Sequence, residues 1–101
     1  MNGDIGRSGS SGLVDVQSGF VTFDAANCPA TDTTYQSVPI PGVQVGDMVL
    51  LAPRAAFTHV GIGVGFCTVA GTATVPFINP NAAAENPGAQ VYDYFLCKKL
   101  G

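Results

Sequence analysis

The sequence predicts an all-β protein, an antiparallel β-sandwich or small barrel of about seven short strands behind a flexible N-terminal arm. Three observations support this. Turn-forming Gly, Pro and Asn recur at short intervals, the pieces between them are rich in β-branched and aromatic residues, and no stretch keeps a helical spacing. A chain of 101 residues is expected to form one domain with one core. We therefore expect an arm over residues 1–12 and a single β domain over residues 13–101.

The predicted arm is polar and contains five Gly or Ser residues between positions 8 and 12, which is typical of a flexible segment. Such an arm can remain a solvated tail, or it can order on a partner by pairing with an exposed strand edge. In the second case Ile5 is its candidate apolar contact and Arg7 its candidate charged contact.

The turn signals divide the rest of the chain into predicted strands. These lie near residues 13–16, 19–23, 34–40, 46–51, 59–67, 72–78 and 90–98. The three alanines within residues 81–85 allow one helical turn. The segment 48–51 is apolar at every position, which indicates a central strand covered on both sides.

The clearest alternation lies in residues 59–67, where apolar side chains share one face of the strand and three glycines share the other. The glycine face indicates close packing against an aromatic side chain of this chain or, as the alternative, against a second subunit. The predicted core consists of Val60, Ile62, Val64, Phe66, Val75 and Phe77.

The last predicted strand places Tyr92, Tyr94 and Leu96 on one face. Tyrosine is enriched at protein interfaces, so Tyr92 and Tyr94 are candidate partner contacts. The alternative is that the two rings simply cover the sheet.

Composition narrows the function. Charged residues make up only 11% of the chain, against about 25% in ordinary soluble domains, which favours packing against other chains. Net charge is −3 with four basic residues, so we expect no direct nucleic-acid binding. No apolar run approaches a bilayer span, and no secretory signal is visible, so we expect neither membrane insertion nor export. The three cysteines are then expected to be free thiols, with no metal and no cofactor.

One pattern is similar to the motif order of NlpC/P60 cysteine peptidases: Gln17-Ser18-Gly19, then Gly46-Asp47, then His59-Val60-Gly61-Ile62. The nucleophile position of that pattern, however, holds Gln17, and the chemistry requires a thiolate beside the histidine base. We therefore expect no enzyme and place His59 at the rim of a sheet. A degenerate cell-wall-binding domain of this type is the weakest functional alternative.

From residue 37 onward, turn and strand motifs follow one another in a defined order. They are SVPIPGVQVGDMVL at 37–50, Ala52-Pro53, AGTATV at 70–75, NPNAAA at 79–84 and the closing strand at 90–98. This order resembles a short β-rich domain of tailed-phage structural proteins, which occurs as capsid decoration proteins and as modules of fibres and spikes.

The resemblance implies a structural virion protein of a bacteriophage, a decoration or cement protein that binds and stabilises the outer surface of the head. Its expected partner is the major capsid protein, and its expected state is a homotrimer. It would be made in the host bacterial cytoplasm and end on the capsid surface. The alternative within the same resemblance is a tail-fibre or spike module with a host-binding or carbohydrate-binding role.

Overall fold

The computed structural model describes residues 14–55 and 59–99, and all regular secondary structure in these ranges is β. The strands are β1 (Val14–Ala25), β2 (Asp32–Pro39), β3 (Met48–Pro53), β4 (Gly61–Ile62), β5 (Gly65–Val69), β6 (Thr72–Asn79) and β7 (Gly88–Lys99). The described part of the chain holds no helix with the length and hydropathy needed to cross a membrane.

The seven strands form one antiparallel sheet in the order β1-β7-β3-β5-β6-β2, with β4 also paired to β6. The sheet curls into a half-barrel, which confirms the predicted all-β, small-barrel fold. β1 pairs along its whole length with β7, from Val14 opposite Lys99 to Ala25 opposite Gly88. β1 and β2 are the two edges of this sheet.

The core lies on the inner face of the curled sheet. Because side chains alternate across a strand, every second residue of β6 and β7 points inward. The rings of Phe23, Phe77 and Tyr92 pack at centroid distances of 6.3 Å and form the centre of this core. Val49 and Leu96 are also fully buried there. Burial of these side chains is the main source of the fold's stability.

β1 is one continuous strand, whereas the sequence predicted two strands separated at Gln17-Ser18. Gly19, directly after the predicted break, lies inside this continuous strand. A Cβ at this position would lie 2.5 Å from Oη of Tyr94, so the glycine allows that ring to approach the β1 backbone closely. Pairing with β7 continues through this point without a shift in register.

The predicted strand 59–67 is interrupted and forms two short strands, β4 and β5. Between them the N–H of Gly63 donates to the carbonyl of Pro76 at 2.9 Å. The inward-facing positions shift by one residue across this break: Ile62 is partly buried against the core, and Gly65 is the next inward residue. Val64 and Phe66, predicted as core, are therefore 52% and 44% exposed, while Val60, Val75 and Phe77 are buried as predicted.

The predicted glycine face is only partly present: Gly63 and Gly65 pack closely within the chain, though not against an aromatic ring, while a Cβ on Gly61 would meet nothing within 4 Å. A Cβ on Gly63 would lie 2.8 Å from Cγ of Pro76, and one on Gly65 would lie 2.9 Å from Cγ2 of Val75. Both neighbours belong to β6. These two glycines thus allow the chain at residues 63–65 to lie tightly against that strand.

Two further predictions are corrected by the structure. β3 is covered on one side only, because Val49 is buried while Met48 and Leu50 are exposed. Residues 81–85 form bends and a bridge to Cys28 in place of a helical turn. The buried Asn79 side chain holds this loop by donating to the carbonyls of Ala83 at 2.9 Å and Cys28 at 3.0 Å.

The turn before β3 is fastened by one buried carboxylate. Asp47 accepts a hydrogen bond from the backbone N–H of Gln44 at 2.9 Å and from that of Lys99 at 2.8 Å. Nζ of Lys98 lies 2.8 Å from the same carboxylate and also donates to the carbonyl of Gly42 at 2.8 Å. The Lys98 contact, followed by the Lys99 N–H, lowers the pKa of Asp47 from 3.8 to about 2. The turn and the end of β7 are thereby joined.

Candidate interaction surface

The outer face of the half-barrel carries a cluster of large apolar side chains. They come from the neighbouring strands β1, β7, β3 and β5, and each is between 43% and 63% exposed. We call this cluster the outer apolar patch; it consists of Val16, Phe20, Met48, Leu50, Phe66 and Phe95. In a chain with so few charges, this patch is the feature of the described surface that most clearly indicates binding.

Strand register makes the patch continuous. One row crosses four strands through Val16, Cys97, Met48 and Phe66, each directly opposite the next. In the neighbouring row Phe95 lies opposite Leu50 on one side and Ser18 on the other. Directly opposite residues on one face have Cβ atoms about 5 Å apart, so the side chains in each row are in reach of each other.

The exposed apolar area of the patch is comparable to that of the largest patch on a typical monomer. With roughly 200 Å² for each aromatic side chain and somewhat less for each aliphatic one, the exposed fractions amount to roughly 500 Å². Apolar patches of about 300–600 Å² are the largest found on typical monomers, and they are often functional. Beyond Phe66 the row continues with Thr74 and then Ser37, so the patch ends in polar residues toward β2.

An ion pair borders the patch near Phe20. Nη2 of Arg54 lies 2.8 Å from Oδ1 of Asp93, and Nε lies 3.1 Å from both carboxylate oxygens. The guanidinium carbon is 5.0 Å from the Phe20 ring centroid, within range of a cation–π contact. Asp93 raises the pKa of Arg54, and Arg54 lowers the pKa of Asp93. A shallow hollow of about 450 Å³ lies here, lined in part by Ser18 and Ala52.

Two residues bear on peptidase chemistry: His59, which belongs to the peptidase-like pattern, and Cys28, which does not. His59 is exposed, and its Nδ1 lies 3.3 Å from Oε2 of Glu85, which also accepts a hydrogen bond from Asn81. Cys28 is fully buried, and burial raises the pKa of its thiol. A nucleophilic cysteine needs the opposite, an accessible site that lowers its pKa.

The cysteines and potential metal ligands can be assessed for the described residues. Cys28, Cys67 and Cys97 are free cysteines. Within residues 14–55 and 59–99, no group of three or more His, Cys, Asp or Glu side chains is placed to hold a metal ion.

Two of the four contact residues predicted from the sequence, Tyr92 and Tyr94, are not part of the patch. Tyr92 and Tyr94 are 0% and 9% exposed, so neither forms a surface in this fold. The reason is that both occupy the inner face of β7, where the curled sheet covers them. Ile5 and Arg7 lie outside the described residues.

Sequence reasoning missed the patch residues, although a signal for them was present. Met48 and Leu50 belong to the segment that is apolar on both faces, which was interpreted as a strand covered on both sides. Strand alternation places Phe95 on the face opposite Tyr94, but alternation alone does not indicate which of the two faces is exposed. Low charge together with two-sided apolar strands is the signal that could have found the surface.

A scan against protein-family models and searches of curated proteins and of solved structures each found no match to this chain. Function is therefore inferred from the residues and their arrangement.

Proposed function

We propose that this chain is a structural virion protein, a decoration protein that binds the outer surface of a phage head through its outer apolar patch. The observation that carries the proposal is the patch itself, six large apolar side chains brought together on one face by strand register. The order of turn and strand motifs after residue 37, which resembles that of tailed-phage decoration domains, supports the phage setting. The low charged fraction of 11% supports a surface that works in contact with other proteins.

The energetics favour a binding site built from several capsid subunits. Burying roughly 500 Å² of apolar surface gives roughly 12 kcal/mol before costs, and association alone costs roughly 4–15 kcal/mol. The patch by itself thus gives weak binding. Such binding can stabilise the head if the assembled head presents a complementary surface that free capsid subunits lack. A protein that binds only the assembled state stabilises that state by mass action.

The border of the patch suits such an interface. Typical interfaces have an apolar centre and a polar rim that supplies oriented hydrogen bonds. Here the rim is formed by the Arg54–Asp93 pair on one side and by Thr74 and Ser37 on another. Arg54 is already held over Phe20, so less side-chain freedom is lost when a partner binds.

The test uses heads of the virus that encodes this chain, purified from a mutant lacking its gene. Wild-type chain is added back and located by electron cryo-microscopy. We expect density at the junctions of capsid subunits and a higher temperature of head disruption. Phe95→Asp, in the centre of the patch, is expected to reduce occupancy by at least tenfold, because a charge must be desolvated there.

Tyr35→Asp is the matched control, since Tyr35 is an exposed aromatic residue on the outer face of β2 but outside the patch. It is expected to bind heads like the wild type. Equal occupancy of the Phe95→Asp and wild-type chains would contradict the proposal. Density on the tail or on fibres of complete particles, with none on the head, would assign the chain to a fibre or spike module.

A further inference from the structure

The edge formed by β1 is open. β1 pairs with β7 on one side, and no described strand pairs with its other side. Its end is covered where the Gln36 side chain accepts from the N–H of Ala26 at 2.8 Å and donates to its carbonyl at 3.3 Å. Residues 15–22 contain no Pro, Lys or Arg, and Asp15 is their only charged residue, so the usual protection of an edge from pairing is limited to one end of this segment. Their backbone is therefore suited to adding a strand.

The residues of this edge are complementary to a second copy of themselves. When two β1 strands pair antiparallel with Ser18 opposite Ser18, Val16 of each copy lies opposite Phe20 of the other. These are exposed residues on the outer face, and aromatic–β-branched pairs are favourable cross-strand neighbours.

Neighbouring registers match less well. Centring the pair on Gly19 places Phe20 opposite Ser18. Centring it on Phe20 places Val16 opposite the carboxylate of Asp24.

Charge and packing also permit the Ser18 register. Asp15 lies opposite Val21 of the second copy, and the two Asp15 residues are about 20 Å apart along the strands, given 3.4 Å per residue. This exceeds the screening length of about 8 Å in physiological salt, so they repel little. On the inner face Gly19 accommodates the Tyr94 ring of its own chain, so this contact is already made within each copy.

We propose that two copies of this chain form a two-fold dimer by antiparallel β1–β1 pairing centred on Ser18. The two half-barrels then share one continuous sheet, and their outer apolar patches lie side by side. The interface is isologous, so it closes at two copies. This differs from the trimer that the phage resemblance implies, and it does not depend on binding to a capsid.

The first test is analytical ultracentrifugation of the full chain over a range of concentrations, without any head present. We expect a monomer–dimer equilibrium. Phe20→Asp is expected to weaken it about thirtyfold or more, the effect of losing a central aromatic contact. Tyr35→Asp is the control, because Tyr35 is 65% exposed on the opposite edge strand and Phe20 is 63% exposed on β1. Circular dichroism verifies that each variant is folded.

The second test fixes the register by disulfide trapping in a Cys97→Ser background, in which the remaining cysteines are the buried Cys28 and Cys67. Ser18→Cys places a thiol opposite its own copy, within the Cβ distance that a disulfide tolerates after small adjustment. We expect efficient covalent dimers from Ser18→Cys and few from Ser37→Cys, an exposed serine at the outer face of the other edge.

Three results would overturn the dimer. They are a monomer at all concentrations reached, a trimer as the first oligomer, and equal cross-linking at Ser18→Cys and Ser37→Cys. A concentration-dependent dimer that Phe20→Asp disrupts and Ser18→Cys traps would establish it. Either outcome can occur whether or not the chain decorates a capsid, so failure of one proposal is distinguishable from failure of the other.

Discussion

The two faces of this one sheet are built from similar residues but differ in environment. Tyr94 and Phe95 are adjacent aromatic residues of β7, yet Tyr94 is buried in the core and Phe95 is among the exposed residues of the outer apolar patch. Their chemistry is nearly the same, and only the direction of the curl separates them. The hydrophobicity of these residues is therefore similar on both faces, while the curl decides which of them the chain itself buries and which it leaves exposed.

The sharpest way to test this difference is to remove a ring from each face. Phe77→Ala, in the centre of the inner core, is expected to lower the free energy of unfolding by about 3–5 kcal/mol, through lost burial and the cavity that remains. Phe66→Ala, on the outer face, is expected to change it by less than about 1 kcal/mol. Urea denaturation followed by circular dichroism measures both.

A loss above about 2 kcal/mol for Phe66→Ala, measured where the chain is monomeric, would mean that the outer face is covered within a single chain. The patch would then be part of the core and not a binding surface.

The second comparison is between two glycines that face different surroundings. Gly19→Ala pushes a methyl group against the Tyr94 ring on the inner side, and it is expected to cost about 1–3 kcal/mol. Gly61→Ala is the control, because a Cβ there meets nothing within 4 Å. It is expected to be nearly neutral in the same denaturation experiment. Equal effects of the two substitutions would show that Tyr94 moves freely away from β1.

The third and smallest expected effect is the loss of folding stability at acidic pH. The pKa of Asp47 is about 2 in the folded chain against 3.8 as its ordinary value, so the folded state binds this proton less readily. Its contribution to stability is therefore fully present above about pH 4 and is lost as the pH falls toward 2. Asp47→Asn is expected to lower the midpoint of urea unfolding at neutral pH. As the pH falls from about 4 toward 2, the midpoints of the variant and the wild type are expected to become more similar.

Asp93→Asn is the matched control from the outer face. Arg54 also lowers the pKa of Asp93, but both side chains are about half exposed, so solvent and salt screen the pair. It is expected to leave the acid dependence of stability close to that of the wild type. An equal loss of acid dependence in both variants would mean that the Asp47 turn is open to water.

The sequence was sufficient for the strand class and for part of the core, because alternation and turn chemistry are local properties. Val60, Val75 and Phe77 are buried as predicted, and Tyr92, Tyr94 and Leu96 share one face of β7. The predicted break at Gln17-Ser18 was wrong because these residues pair without interruption with β7, a strand that is distant in the sequence. A local pattern carries no information about such a contact.

The exposed patch could not be located for a related reason. The shift at Gly63-Val64 exchanges the inward and outward residues of β5, and it depends on a hydrogen bond to Pro76 of another strand. Without that shift Phe66 would be assigned to the core. Whether Met48 and Leu50 are covered depends on the sense in which the whole sheet curls, which is a property of all the strands together.

The pairing of β1 with β7 also has a consequence for how the chain folds as it is made. β1 leaves the ribosome first among the described strands, but its partner β7 is the last of them in chain order. Until β7 is released, β1 has no strand to join in this sheet, and both of its edges and both of its faces remain open. Sheets built on such distant pairings fold slowly and expose aggregation-prone strands meanwhile. Slower translation is therefore expected to prolong the time during which β1 is unpaired and prone to aggregation, because β7 must be made before β1 can join the sheet.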